Sequence, residues 1–444
     1  MYRLYNLIHP LAARYKWLRI ALRWLAAKFP FLLISFNRKQ GAHYAELKSL
    51  RENNVILIDV THLAKTGLHT GVQRVVRSIY KELKELAPSD IDVEPVSLTV
   101  DGGIWHFRYY DIDLGVQSSE VVVPGQGDIF LGVDLNAAII HASKAGLFDD
   151  WRKRGAKNLF VVHDILPITH PHWWEGGTNH RHEEWLRAVL DSANVVVSVS
   201  KSTQNEVIRW TQQASVDTSN VRFDWFHLGA NFDNAVKVSE EKLAEASAVD
   251  QSVVKLLHEK ETFLVVGTLE PRKGHMQCLN AVELLWEKES DVNLVLVGCE
   301  GWMVDKLIKK INGHSELGTR LFWLDGISDE YLTEVYRAST CLVQPSHGEG
   351  FGLSVIEGAY YGLPIIARNI PIFRELADNH ATFFKGETSF ELAAAMESWL
   401  CLYRKQQHTT SSGLEWNTWR DSALQLSNIL KEVEVTNVVE KANV

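Results

Sequence analysis

One pattern, run through twice, constrains this chain most. Val55–Val60 (VILIDV) is an apolar, β-branched run, and beyond a loop holding Gly67 and Gly71 the stretch VQRVVRSIYKELKEL has helical spacing. DIFLG, NLFVVHD and NVVVSVS read as further strands, with EEWLRAVLDSA and STQNEVIRWTQQ as helices. Residues 229–261 carry no strand signal, only a polar helical run, and read as an interdomain connection. The alternation restarts with TFLVVGT, the loop LEPRKG and the helix HMQCLNAVELLWEK, then VNLVLVG, LFWL, CLVQPS and LPIIA, each followed by a helical stretch. Short apolar strands alternating with helices imply parallel sheets covered on both faces. Two such units imply a cleft between them, with ligand at the carboxyl ends of the strands. The expected architecture is α/β, with a leader over 1–50, Rossmann-like domains over 51–235 and 236–412, and a closing helix and tail over 413–444.

Charge separates the leader from the body. No acidic residue precedes Glu46, whereas Arg3, Arg14, Lys16, Arg19, Arg23, Lys28, Arg38 and Lys39 all do. The net charge is −9, so this leader of eight cations leaves −17 on the remainder. An acidic body argues against nucleic acid as a partner. The leader is too often charged to span a bilayer and lacks a signal-peptide cleavage pattern. Leu11, Tyr15, Leu18, Leu22 and Leu25 share one helical face beside Trp17 and Trp24. That pattern fits a helix lying on an anionic membrane surface, or one packed on protein. Fifteen tryptophans is a high count, and several suit an interface or a membrane surface. Cys278, Cys299, Cys341 and Cys401 form no C-x-x-C pair and are expected to be buried, reduced thiols.

Three constellations carry chemistry. In PSHGEGFGLSVIEGAYYGLP, starting at Pro345, Gly348, Gly350 and Gly352 allow close backbone approach at the start of a helix. Glu349 in the loop and Glu357 in the helix can each accept hydrogen bonds from hydroxyl groups. In GTLEPRKGH, Arg272 and Lys273 follow a strand and suit a diphosphate, unless they form only a solvated basic turn. Their replacement is expected to harm turnover and barely affect folding. In VVHDILPITHPHWW, His163 ends a strand and either faces the cleft or is buried against backbone. His170 and His172 lack further ligands at zinc spacing, and Asp111-Ile112-Asp113 matches a metal-binding D-x-D in form only. No metal is expected.

These stretches together resemble the retaining glycosyltransferases of family 4. Glu349 and Glu357 stand as that family's E-x7-E, and GTLEPRKGH, VGCEGW, GLPIIARNIPIFREL, TGVQRVVRSI, VVHDILPI and WNTWRDSALQL are further matches, over about residues 53–431. The resemblance implies a GT-B fold, with the nucleotide-sugar donor held by the C-terminal domain and the acceptor mainly by the N-terminal one. It implies that Arg272 and Lys273 contact the donor diphosphate, Glu349 the sugar hydroxyls and Glu357 the ribose. Gly350, Phe351 and Gly352 then lie along sugar and phosphate, His163 sits by the reacting centre and Gly71 approaches the diphosphate. The implied reaction is transfer of a hexose, first of all mannose from GDP-mannose, to a lipid-linked saccharide in polysaccharide synthesis. It needs no cofactor or metal and runs in the cytoplasm at the inner face of the membrane. Transfer of rhamnose, glucose or galactose, a GT-B sugar-nucleotide epimerase, and a non-catalytic membrane-bound subunit are the alternatives.

Overall fold

The computed structural model describes residues 53–66, 71–230 and 248–442. The basic leader, Gly67 and most of the interdomain connection lie outside the described residues. Eight strands form the first sheet: β1 (Asn54–Asp59), β2 (Ile91–Asp101), β3 (Ile104–Asp111), β4 (Val116–Val121), β5 (Ile129–Gly132), β6 (Lys157–Val162), β7 (Val195–Ser198) and β8 (Arg222–Trp225). Their spatial order is β4-β3-β2-β1-β5-β6-β7-β8. Six more, β9 (Thr262–Val266), β10 (Asn293–Val297), β11 (Leu321–Leu324), β12 (Cys341–Gln344), β13 (Ile365–Arg368) and β14 (Thr382–Phe384), form a second sheet in the order β11-β10-β9-β12-β13-β14.

Alternation of side chains along each strand explains the layers. In the first sheet Val55, Leu57, Phe130, Phe160 and Val162 enter an aromatic-rich layer with Phe107, Phe148 and Trp151. Ile56, Ile58, Ile129, Leu131 and Val161 face the other way, onto the helix Gly71–Leu86. The second sheet divides likewise, Phe263, Val265, Leu294 and Leu296 on one face and Leu264, Val295 and Leu342 on the other. Strands buried on both faces read as continuous apolar runs, which is why they were legible.

The expectation of purely parallel sheets needs one correction. β3 pairs antiparallel with both β2 and β4 at the edge of the first sheet. β4 (VQSSEV) is exposed along nearly its whole length, so it carries no apolar run to announce it. The helix Ala248–Glu259, read from sequence as part of the connection, packs on the helix Asp329–Ala338 of the second domain. The closing helix is longer than expected, Trp419–Ala442, and crosses back to the first domain. There it lies along the helix Gly71–Leu86, burying Leu426, Ile429, Leu430 and Val433, with Arg420 4.0 Å from both Glu82 and Glu85. Among the described residues no helix is long and apolar enough to cross a membrane.

This return ties the two halves together, so the buried Leu426 matters to both. Leu426→Ala should cost about 2–5 kcal/mol, whereas Leu424→Ala, on the exposed side of the same helix, should stay within about 0.5 kcal/mol. Urea unfolding followed by tryptophan fluorescence measures both.

Candidate active site

The carboxyl ends of β9 and β12 carry the residues singled out above. After β9 the chain makes the single turn Pro271–Lys273, and after β12 it runs through the glycine loop into the helix Leu353–Tyr360. Gly352, at φ 100°, adopts a left-handed conformation that a side chain rarely tolerates and starts that helix. The two loops are stitched by the His347 N–H, which donates to the Arg272 carbonyl at 2.7 Å.

Glu349 is not solvated. Its Oε2 accepts from Arg272 Nη1 at 2.7 Å and its Oε1 from Lys273 Nζ at 2.6 Å, with only 7% of its side chain exposed. Arg272 also donates to the Gly348 carbonyl at 2.9 Å and pairs with Glu270 at 2.7 Å. Burial alone raises the Glu349 carboxyl, but Arg272 and Lys273 more than reverse this and hold it at about 2. Burial raises Glu270, only partly offset by the same cations. Glu270 is a member of the site that sequence reading missed, although it stands directly before the Pro-Arg-Lys turn. The four groups form a buried network of two cations and two carboxylates.

This corrects the expectation that Arg272 and Lys273 sit at the cleft surface with little effect on folding. Removing one partner of a buried pair leaves the other charge uncompensated.

The N-terminal side of the cleft closes on the same loop. A Cβ at Gly350 would collide with the carbonyl oxygen of His163, so only glycine fits there. The Gly350 carbonyl in turn accepts from the Ser200 hydroxyl at 2.8 Å and the Thr203 hydroxyl at 3.0 Å. His163 combines both sequence alternatives. It stands where the two domains meet, and its Nε2 donates to the Val133 carbonyl at 2.8 Å. Burial lowers its pKa despite that bond, which leaves a neutral ring with Nδ1 as the acceptor. Beside it Asp134, nearly fully buried, accepts from the backbone N–H of His62 at 2.6 Å and of Leu63 at 2.9 Å through Oδ2. Its Oδ1 makes no hydrogen bond. Burial, and secondarily Asp164, push the Glu206 carboxyl up to about 7. Asp134 and Glu206 carried no motif and could be found only once the chain was folded.

A third contact crosses the cleft. Glu375 of the second domain accepts from the backbone N–H of Lys201 (2.8 Å) and Ser202 (2.7 Å), and pairs with His227 at 2.7 Å. It thus serves the exposed N–H groups at the start of the helix Lys201–Gln213 from another domain. Phe351 is buried nearby, its ring edge-on to His227.

Glu357 lies one turn into its helix and is engaged from both sides. Tyr336 donates to Oε2 and Arg74, from the first domain, to Oε1, each at 2.9 Å. Arg74 follows Gly71, the first residue of the helix Gly71–Leu86, so this helix start faces the second domain across the cleft. The Arg74 contact is a second feature sequence reading missed, inside a stretch, TGVQRVVRSI, that it had quoted.

The remaining candidates resolve into structure. Asp111 accepts from the N–H groups of Asp113 (3.0 Å) and Leu114 (2.8 Å), so the D-x-D is a turn after β3. Among the described residues no cluster of His, Cys, Asp or Glu could hold a metal. The four cysteines are unpaired, but only Cys278 and Cys341 are buried. Cys299 and Cys401 are exposed, against expectation: Cys299 stands just past the end of β10, and Cys401 lies on the outer side of the helix Ser389–Arg404.

Comparison with known proteins fits this geometry. Residues 249–416 match the family described as glycosyl transferases group 1. The chain carries a group 1 glycosyltransferase domain. It is 37% identical over 387 residues to the serotype-specific mannosyltransferase WbdA of Escherichia coli, an alignment covering 84% of this chain and 46% of WbdA. It is 30% identical over 229 residues to O-antigen chain mannosyltransferase B of Escherichia coli, covering 49% of this chain and 54% of that protein. The chain thus spans about half the length of these relatives. In fold it is similar to Anabaena HepE in complex with UDP and glucose, with TM-score 0.56, 16% identity, and coverage of 85% of this chain and 99% of HepE. It is similar also to the catalytic domain of starch synthase IV from Arabidopsis thaliana bound to ADP and acarbose, with TM-score 0.61, 13% identity, and coverage of 87% of this chain and 100% of that domain. The fold is GT-B, as the resemblance to the family 4 glycosyltransferases implied.

The buried network of the glycosyltransferase domain gives a stability test. Arg272→Ala should destabilise it by about 3–5 kcal/mol, because the buried Glu270 loses its ion pair and Glu349 keeps only Lys273. The linkage has a definite sign. Glu349 is depressed from 4.5 to about 2 in the folded state, so its contribution is full above about pH 4.5 and fades as pH falls towards 2. Thermal melts from pH 7 to 2 should show that loss in the wild type and a weaker one in Glu349→Gln.

Proposed function

We propose that this chain is a retaining, metal-independent hexosyltransferase of polysaccharide synthesis, moving mannose from GDP-mannose to a lipid-linked saccharide. The observation that carries the reading is the Arg272–Lys273–Glu349 network at the carboxyl edge of the second sheet, opposite His163. Cations and a carboxylate held together suit a ligand with a diphosphate at one end and a hydroxyl-rich sugar at the other. The mannosyltransferase relatives favour mannose over rhamnose or glucose. The N-terminal leader, with its basic charge, is consistent with work at an anionic membrane face in the cytoplasm.

In this reading the donor takes over contacts the protein now makes to itself. The diphosphate draws on Arg272 and Lys273, while Glu349 turns its freed capacity to sugar hydroxyls. Glu357 accepts the two ribose hydroxyls, which requires Arg74 to yield part of its contact and brings that guanidinium near the phosphates. Backbone of Gly350, Phe351 and Gly352 lies along sugar and phosphate, and Gly71 at the opposite helix start approaches the diphosphate. As the glycosidic bond to the leaving phosphate breaks, negative charge grows on the nucleoside diphosphate, and the fixed cations stabilise it. The acceptor hydroxyl attacks from the same face and passes its proton to that phosphate, so configuration is retained. The neutral His163 ring and the unengaged Asp134 Oδ1 bound the reacting centre from the acceptor side.

A panel of nucleotide sugars assayed for released nucleotide tests the reading, with GDP-mannose expected to be the best donor. The two glutamates should then fail differently. Glu349→Gln should lower turnover about 10²–10³-fold and leave GDP affinity nearly unchanged, whereas Glu357→Gln should weaken GDP itself. Equal GDP affinities in calorimetric titration would undo the division of roles.

Activity should also survive EDTA. Complete loss on chelation, restored by Mg²⁺ or Mn²⁺, would remove the metal-independent mechanism.

A further inference from the structure

Beside the donor loop, on the rim where the domains meet, lies a group of aromatic side chains that the transfer chemistry does not use. Trp302, just after β10, donates its indole N–H to the carbonyl of Trp173 in the first domain at 2.8 Å. Its ring lies within 28° of parallel to that of Trp174, with centroids 6.4 Å apart, and both rings are partly exposed. Trp173 packs under them, stacked on His170 at 4.2 Å, and reaches the donor loop, where it lines the space at Gly348 and lies 5.9 Å from His347. Met303 follows Trp302 with a φ of 57° and 52% of its surface exposed. A non-glycine residue held in that region at the edge of a cleft is the kind of strain that persists where a site requires it.

Met303 also borders a cavity of about 420 Å³, which His347, Lys306, Ser389 and Glu387 help to line. Its size is within the range of small-molecule clefts, about 300–1,000 Å³. Its charged lining groups offset one another. Glu270 is paired with Arg272 at 2.7 Å, Lys306 and Glu387 are of opposite sign, and burial, helped by Arg368, lowers His347 to about 4, so that ring is neutral at physiological pH. An anion or a cation would therefore gain no net attraction here. A neutral ligand with apolar ring faces and hydroxyl edges would gain on both counts, from the indole faces and from the scattered polar groups.

We infer that Trp174, Trp302 and Met303, with the adjoining cavity, form a subsite for the saccharide chain of the acceptor. The inference rests on the transferase reading for its ligand class and extends it. The growing chain leaves the reacting centre past Gly348 and lies across this aromatic rim, so the protein recognises several sugar residues and not the terminal one alone. Trp173 is the wedge that links the rim to the donor loop.

Isothermal titration of the full chain with α-linked mannotetraose, in the presence of GDP, tests this. The wild type should bind the tetraose, and Trp174→Ala should weaken it about tenfold or more while GDP affinity is unchanged. Trp174 makes no interdomain hydrogen bond through its side chain among those described, so this variant should keep its fold, which a thermal melt checks. Met303→Gly relieves the strained φ and should melt no lower than the wild type, yet bind the tetraose several-fold more weakly. Methyl α-mannoside should bind all three proteins alike. Absence of tetraose binding to the wild type, or equal binding by both variants, overturns the subsite. Failure of the transferase reading itself would appear separately, as absence of GDP binding in the first titration.

Discussion

At Gly350 the glycine loop of the second domain presses backbone to backbone against the His163 turn of the first, and no side chain fits between them. Ser200 and Thr203 then hold the Gly350 carbonyl from the same side. This contact decides how far apart the sheets stand, and so how wide the cleft is. His163 supplies the first domain's side of it. Its ring is turned to the Val133 carbonyl and its backbone carries the contact. Glu375, serving the helix start at Lys201 and Ser202, and the closing helix laid on Gly71–Leu86 add further ties.

Within that cleft the protein keeps strong charges by balancing them. Arg272 and Lys273 stand in largely buried positions, where an unpaired cation would be costly. Glu349 and Glu270 make their burial tolerable, and the Glu349 carboxyl stays ionised throughout the physiological range. In the proposed reading a bound diphosphate shares Arg272 and Lys273 with those carboxylates. The Arg74–Glu357 pair repeats the arrangement at the helix Leu353–Tyr360, in a more exposed setting and between domains.

Local pattern carried much of this. The buried strands were legible because both faces are covered and most residues in them are apolar, and the glycine loops because strand-to-helix turns demand conformations glycine adopts easily. Arg272, Lys273, Glu349 and Glu357 were legible because they sit at fixed spacing beside those turns. The antiparallel strands β3 and β4 were not, since an exposed edge has no apolar signature. Nor was the exposure of Cys299 and Cys401, which depends on where β10 ends and on which side of its helix Cys401 falls.

The sequence by itself determined two α/β units, their strand faces, and which carboxylates and cations attend the second sheet, because periodicity, glycine and charge act over a few neighbouring residues. Only the tertiary structure decided how those groups are spent. It joined Glu349 to Arg272 and Lys273 across about seventy-six residues of chain, brought Arg74 to Glu357, left Asp134 with one oxygen unengaged, and gathered Trp173, Trp174 and Trp302 onto one rim. Such pairings depend on distances between elements remote in sequence, and burial then sets how strongly each charge is felt.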